Sequence, residues 1–129
     1  MDALSNWKVL IVDDEPDNIG VVKLVMEFHD MTVWAASSGQ ECLDLLEKHT
    51  PTLMLVDIQM PEMSGVELLA KIKECADWRS IPVIAVTAYS MQGDRERLMG
   101  AGFDGYISKP INAMTLVDDL VGIMNAVGR

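Results

Sequence analysis

The sequence predicts an α/β domain built on a parallel sheet, with helices covering both of its faces. Three observations predict it. Short apolar runs alternate with amphipathic stretches five times along the 129 residues, the pattern of repeated βαβ units. The apolar runs are continuous, as befits strands buried on both sides. Parallel βαβ crossovers are right-handed almost without exception, which distributes the helices over the two faces. The length suits one compact domain, and we read residues 1–129 as that domain. No internal repeat, low-complexity tract or linker interrupts it.

The elements follow in order. Val9-Leu10-Ile11-Val12 runs into Asp13 and Asp14 and reads as a first buried strand. A helix is expected from about Asp17 to Phe28, with two apolar stripes: Ile19, Val22 and Met26, and also Val21, Leu24 and Phe28. One stripe must pack on the sheet. The other is either an exposed surface able to dock a helical partner or part of a broad core-facing side. Thr32 to Ala35 is strand two. Ser38 opens helix two, with Glu41 three residues on as the partner in a capping box, and with Leu43 and Leu46 on the inner face. Leu53 to Val56 is strand three and ends at Asp57. Gly65, Leu68, Leu69 and Ile72 recur at helical spacing and give helix three. Pro82 to Val86 is strand four, ending at Thr87. A polar helix runs from about Met91 to Met99 and stops at Gly100-Ala101-Gly102. Gly105-Tyr106-Ile107 is a short fifth strand before Ser108-Lys109-Pro110. Asn112 is positioned to cap a last helix striped by Leu116, Leu120, Ile123 and Val127.

Bulk properties narrow the function. The formal charge of −10 opposes general attraction to a polyanion such as DNA. It suits a domain that gathers carboxylates around a cation. The apolar runs are too short and too interrupted to span a bilayer, so no membrane association is expected. Nothing at the start reads as a secretion signal, and a cytoplasmic protein is expected. Two cysteines, Cys42 and Cys75, are too few for a disulfide framework and lack metal-ligand spacing. The ten methionines read as core gap-fillers. His29 and His49 fall near helix C-termini, where a partly charged imidazole is favourable, and neither is assigned to catalysis.

In open parallel sheets, ligands bind beyond the carboxyl ends of the strands. Those ends carry Asp13 and Asp14 (strand one), Asp57 (three), Thr87 (four) and Lys109 (five). Carboxylates drawn together repel, and a divalent cation removes that penalty. An all-oxygen site with few direct carboxylates suits Mg²⁺, which also binds phosphate oxygens. Asp57 can then act as a nucleophile that forms an aspartyl-phosphate. The Lys109 ammonium and the Thr87 hydroxyl can each take a phosphate oxygen.

These residues carry a resemblance. The runs Val9 to Asp14, Val56-Asp57-Ile-Gln-Met-Pro61-Glu-Met-Ser-Gly65, Val86-Thr87-Ala88 and Tyr106-Ile-Ser-Lys109-Pro110 are similar to the signature of response-regulator receiver domains of two-component signalling, the CheY-like superfamily. The likeness covers nearly the whole chain. It implies a flavodoxin-like (βα)5 sheet of order 2-1-3-4-5. It implies Asp57 as phosphoacceptor, with Asp14 and Asp57 as direct Mg²⁺ ligands, Asp13 acting through water, and the backbone carbonyl of Gln59 as a further ligand. Phosphate would come from a histidine kinase or a histidine phosphotransfer protein, and the domain would hydrolyse its own phosphoryl group without being a turnover enzyme.

The same resemblance implies a switch. Thr87 would move toward the phosphoryl group, and Tyr106 on strand five would rotate into the space vacated, a shift between two pre-existing packings. The output surface would be helix four, strand five and helix five. Gln59, Tyr89 and Ala88 occupy positions that tune phosphoryl lifetime and access to the pocket, and Pro110 is a candidate for a cis bond after Lys109. Gly65 either permits a close turn near the site or is an ordinary helix-start glycine. Only about twenty residues follow Lys109, room for a final helix, so a stand-alone protein or a piece of a longer regulator or hybrid kinase is expected.

Two other readings share the topology. Haloacid-dehalogenase-type phosphatases also use a strand-end Asp nucleophile with Mg²⁺, but need a second acid two residues later, where this chain has Gln59. A flavodoxin-type flavin binder needs a phosphate loop after strand one, where Asp13-Asp14-Glu15-Pro16 would repel the phosphate.

Overall fold

The computed structural model describes residues 6–88 and 92–127. Ten elements alternate along the described residues: β1 (Lys8–Val12), α1 (Pro16–Phe28), β2 (Thr32–Ala36), α2 (Gly39–Leu46), β3 (Leu53–Asp57), α3 (Gly65–Glu74), β4 (Val83–Thr87), α4 (Gln92–Ala101), β5 (Gly105–Ser108) and α5 (Leu116–Val127). The five strands form one sheet in the order β2-β1-β3-β4-β5. Every adjacent pair is parallel. This is the flavodoxin-like arrangement, and its central strands β3 and β4 are buried at every residue.

Side chains alternate across a strand, and the sheet therefore divides the core in two. Val9, Ile11, Leu53, Leu55, Ile84, Val86 and Ile107 face one way, against Val22 and Met26 of α1 and Leu116 and Leu120 of α5. Leu10, Val12, Met54, Val56, Val83 and Ala85 face the other way, against Cys42 and Leu46 of α2, Leu68, Leu69 and Ile72 of α3, and Leu98 of α4.

Local chemistry explains the element ends. Pro16 opens α1, where its missing N–H is no loss. Ser64 and Glu67 form a reciprocal capping box on α3. On α2 the expected box forms only by half. The Ser38 hydroxyl accepts from Glu41 N at 3.1 Å, but the Glu41 carboxylate accepts from the backbone N and the hydroxyl of Ser37. A neighbouring serine, one residue further back, outcompetes the Ser38 amide. The buried face of α2 is Gly39, Cys42 and Leu46, with Leu43 only half-buried.

Several boundaries differ from expectation by a residue or two. Strand four is displaced by one residue, because Pro82 has no N–H for the ladder and Thr87 pairs with Ser108. Met91, expected to start helix four, lies outside the described residues. The helix continues to Ala101, and Gly102 then takes a positive φ of 115°. Asn112 caps a turn ahead of α5: its side-chain oxygen accepts from Met114 N at 2.8 Å, and its carbonyl accepts from Leu116 N at 3.0 Å.

The two stripes of α1 separate. Val22 and Met26 are fully buried, whereas Leu24 is 74% and Phe28 82% exposed. His29 follows at the helix end with its ring edge-on to Phe28. His49 stacks on Trp34 of β2 at 4.3 Å between ring centroids. No described helix is long and apolar enough to cross a membrane.

Candidate functional site

Each polar residue at the carboxyl edge of the sheet is delivered there by an apolar strand. Asp13 leaves β1 and is fully buried. Its Oδ1 accepts from Glu15 N at 2.8 Å, a local Asx turn that starts α1. Its Oδ2 accepts from the Asn18 amide at 3.2 Å. The same amide donates to Glu15 Oε1 at 2.7 Å. Asp14 is exposed.

Asp57 ends β3 at only 1% exposure. Its Oδ1 accepts from Gln59 N at 3.1 Å and pairs with Lys109 Nζ at 3.1 Å. Its Oδ2 is buried and has no hydrogen-bond partner among the described residues. One oxygen is thus held and the other is left for chemistry. Carboxylate oxygens of Asp13, Asp14 and Asp57 lie within 4.8 Å of one another.

The chain after Asp57 folds back tightly. Gly65 N donates to Ile58 O at 3.0 Å. A Cβ on Gly65 would stand 2.5 Å from the Asp57 carbonyl oxygen and 2.8 Å from Ile58 Cα. Space, not an unusual dihedral, demands glycine here. Between them Glu62 takes a left-handed conformation, with φ of 67°.

Thr87 ends β4 and is 1% exposed. Its carbonyl accepts from Lys109 N at 2.8 Å, which fixes the end of β5 against β4. Lys109 then reaches back across the edge to Asp57, and also to Glu15 Oε1 at 3.5 Å. The Lys109–Pro110 peptide is cis. Ala88 is exposed beside Thr87, and Gln59 is exposed beside Asp57. Tyr89 lies outside the described residues. Tyr106 is half-buried on β5, with the Arg95 guanidinium 5.9 Å from its ring centroid. It borders a groove of about 500 Å³ between β5 and α5, lined also by Arg95, Asn112, Leu116 and Ile123.

The electrostatics follow from burial. Burial raises the Asp57 carboxyl from 3.8 to about 6, helped by the charge of Asp13 and opposed by the hydrogen bonds from Lys109 and Gln59 N. Burial alone would lower the Lys109 ammonium. Its hydrogen bond to Asp57 and the charges of Asp57, Asp13 and Glu15 outweigh that and hold it above its ordinary value. The result is an acidic cluster with Lys109 as its neutralising cation among the described residues.

The structure therefore brings Asp13, Asp14, Asp57, Thr87 and Lys109 to one edge. Sequence reasoning missed Glu15 and Asn18, which tie Asp13 to Lys109. An Asp followed two residues on by a helix start was the available signal, because that spacing permits an Asx turn. A chain holding three acids together, with a buried carboxylate oxygen left unpaired, is chemically suited to a hard, oxygen-seeking divalent cation.

Comparison with known proteins agrees with this geometry. Residues 9–121 match the response regulator receiver domain family. The polar-differentiation response regulator DivK of Brucella ovis is 41% identical over 112 residues, covering 87% of this chain and 91% of that protein. The signal receiver domain of a signal transduction histidine kinase from Syntrophus aciditrophicus superposes with a TM-score of 0.81 at 31% identity, covering 95% of this chain and 93% of that one. The receiver domain of sensor histidine kinase PA1611 from Pseudomonas aeruginosa PAO1 superposes with a TM-score of 0.80 at 26% identity, covering 96% and 99%. That domain carries a magnesium ion coordinated in its active site cleft.

Proposed function

The chain belongs to the response-regulator receiver family of two-component signalling, and from that premise we propose that it accepts a phosphoryl group on Asp57 in a Mg²⁺-dependent phosphorelay. The observation that carries the reading is the asymmetric carboxylate of Asp57. One oxygen is fixed by Lys109 and Gln59 N, the other is buried with no hydrogen-bond partner among the described residues, and the carboxylate as a whole stands beside those of Asp13 and Asp14.

Asp13, Asp14, Asp57 and the carbonyl of Gln59 would hold the metal. Mg²⁺, when bound, offsets the carboxylate charges and screens the oxygens of the transferred group. A carboxylate oxygen of Asp57 attacks the phosphorus of a phosphohistidine; an O–P bond forms as the P–N bond breaks, and the imidazole nitrogen leaves with the electron pair. Lys109 follows the charge from Asp57 to a phosphoryl oxygen, and Thr87 donates its hydroxyl to another. Water later cleaves the acyl phosphate, returning the carboxylate and inorganic phosphate. The chain thus catalyses its own modification and reversal and is not a turnover enzyme.

The donor is a histidine kinase or a histidine phosphotransfer protein, and the exposed Leu24 and Phe28 on α1 form an apolar patch suited to a helical donor. Movement of Thr87 and rotation of Tyr106 alter the α4–β5–α5 face, where a downstream protein binds. Gln59, Ala88 and Tyr89 set the access of water and hence the phosphoryl lifetime. Residues 1–129 act as a single cytoplasmic receiver domain that binds neither nucleic acid nor membrane.

Intact-mass analysis after exposure to acetyl phosphate tests the chemistry, with and without Mg²⁺, on the native chain and on Asp57→Asn. One phosphate on the native chain alone, dependent on Mg²⁺, is expected. Equal labelling of Asp57→Asn would overturn the assignment.

A further inference from the structure

We infer that Glu15 is a positioning residue of the phosphoryl-transfer site, a tether that holds the Lys109 ammonium at the mouth of the site until transfer draws it away. The inference rests on the phosphoacceptor reading above and adds a residue outside the family's signature set.

Lys109 Nζ is shared by two carboxylates. Asp57 Oδ1 lies 3.1 Å away in the interior, and Glu15 Oε1 lies 3.5 Å away at the rim. The Glu15 side chain is 61% exposed, yet it is not left to wander. The Asn18 amide donates to the same Oε1 at 2.7 Å and to Asp13 Oδ2 at 3.2 Å. Asp13 in turn accepts from Glu15 N at 2.8 Å. This closed ring of contacts on the first turn of α1 aims Glu15 across the sheet edge, over 94 residues of sequence, at the lysine.

The two carboxylates differ in what happens to them during transfer. Asp57 becomes the acyl phosphate, so Lys109 keeps a partner there by moving onto a phosphoryl oxygen. Glu15 offers nothing to the transferred group, and its contact is made in the resting state and lost on the way to the transition state. An interaction present only in the ground state raises the barrier. Glu15 therefore slows phosphorylation, and it retains the lysine close to the site between events.

The test separates tethering from simple charge repulsion at the mouth. Phosphorylation rate constants are measured with acetyl phosphate and with phosphoramidate, at saturating Mg²⁺, for the native chain, Glu15→Gln and Glu15→Asp. Thermal melts accompany them to show that all three fold alike. Glu15→Gln is expected to react about 2- to 5-fold faster, the range for losing a partly exposed ion pair. Glu15→Asp keeps its charge but is one methylene short of Lys109, and is expected to match Glu15→Gln with both donors. If Glu15→Asp reacts like the native chain, or if the gain scales with donor charge, repulsion is the cause and the tether is overturned. Unchanged rates in both variants overturn it as well. A native chain that takes up no phosphate from either donor would instead defeat the phosphoacceptor reading, and the tether with it.

Discussion

Replacing Asp57 with asparagine should make the unphosphorylated domain more stable at neutral pH, even though it deletes an ion pair. Burial, with help from Asp13, raises the Asp57 carboxyl from 3.8 to about 6, and that value already includes the opposing pull of Lys109 and Gln59 N. A folded pKa above the unfolded one means that the folded chain holds the proton more tightly. Stability therefore falls as pH rises from about 4 to 6, and the full penalty is present above that window. Two pKa units correspond to roughly 3 kcal/mol. Asparagine resembles the protonated carboxyl in shape and charge, so the variant should recover about 2–3 kcal/mol at pH 7.5. For a domain of this size that is a rise of roughly 5–10 °C in Tm. The advantage should fall to about a third at pH 4.5, where the folded carboxyl is largely protonated. Thermal denaturation followed by circular dichroism, in EDTA, at both pH values gives the measurement. Added Mg²⁺ should narrow the gap by stabilising the native chain more than the variant. A variant that melts at or below the native temperature at pH 7.5 would refute the reasoning. So would a gain of equal size at both pH values, because packing and not charge would then be responsible.

Gly65→Ala should destabilise the fold by about 1–3 kcal/mol, since its Cβ would meet the backbone of Asp57 and Ile58 rather than a yielding side chain. Urea denaturation reads that cost, and phosphorylation by acetyl phosphate should slow in the same variant because the collision lies on the nucleophile's own peptide. Burial pushes the Cys42 thiol up to about 12, so it should resist alkylation at pH 8 in the folded protein, while the half-exposed Cys75 reacts. Peptide mapping by mass spectrometry checks this, and rapid labelling of Cys42 in native conditions would contradict its burial. The double substitution Leu24→Ser with Phe28→Ser should change stability by no more than about 0.5 kcal/mol, given the exposure of both side chains. It should slow transfer from a phosphohistidine protein but leave the reaction with acetyl phosphate unchanged.

Much of the fold was legible because the strands are short, apolar and terminated by distinctive residues. Val9 to Val12 and Leu53 to Val56 announced buried parallel strands, and the acids that end them marked the edge at which a ligand binds. The helical stripe of Gly65, Leu68, Leu69 and Ile72 is buried in full. Details that depend on competition between neighbours were not legible. Glu41 had two serines within reach, and only three-dimensional placement decides that Ser37 receives its carboxylate. The division of α1 into buried Met26 and exposed Phe28 required knowing how the helix rolls on the sheet. Pattern reading left glycine at position 65 open between a close turn and an ordinary helix start, because the deciding contact is with a backbone that passes close by after a tight loop. Glu15 and Asn18 were hidden for a related reason. Their roles come from contact with Lys109 and Asp13, and polar residues in the first turn of a helix are ordinary.

The sheet separates two hydrophobic clusters that share no side chain, one against α1 and α5 and the other against α2, α3 and α4. The reactive groups sit at the strand ends and belong to neither. Such a layout lets the two flanks be repacked one at a time. A substitution among the side chains beneath α2 and α3 meets none of those beneath α1, so each side of the sheet can absorb a change in volume without asking the other to answer it.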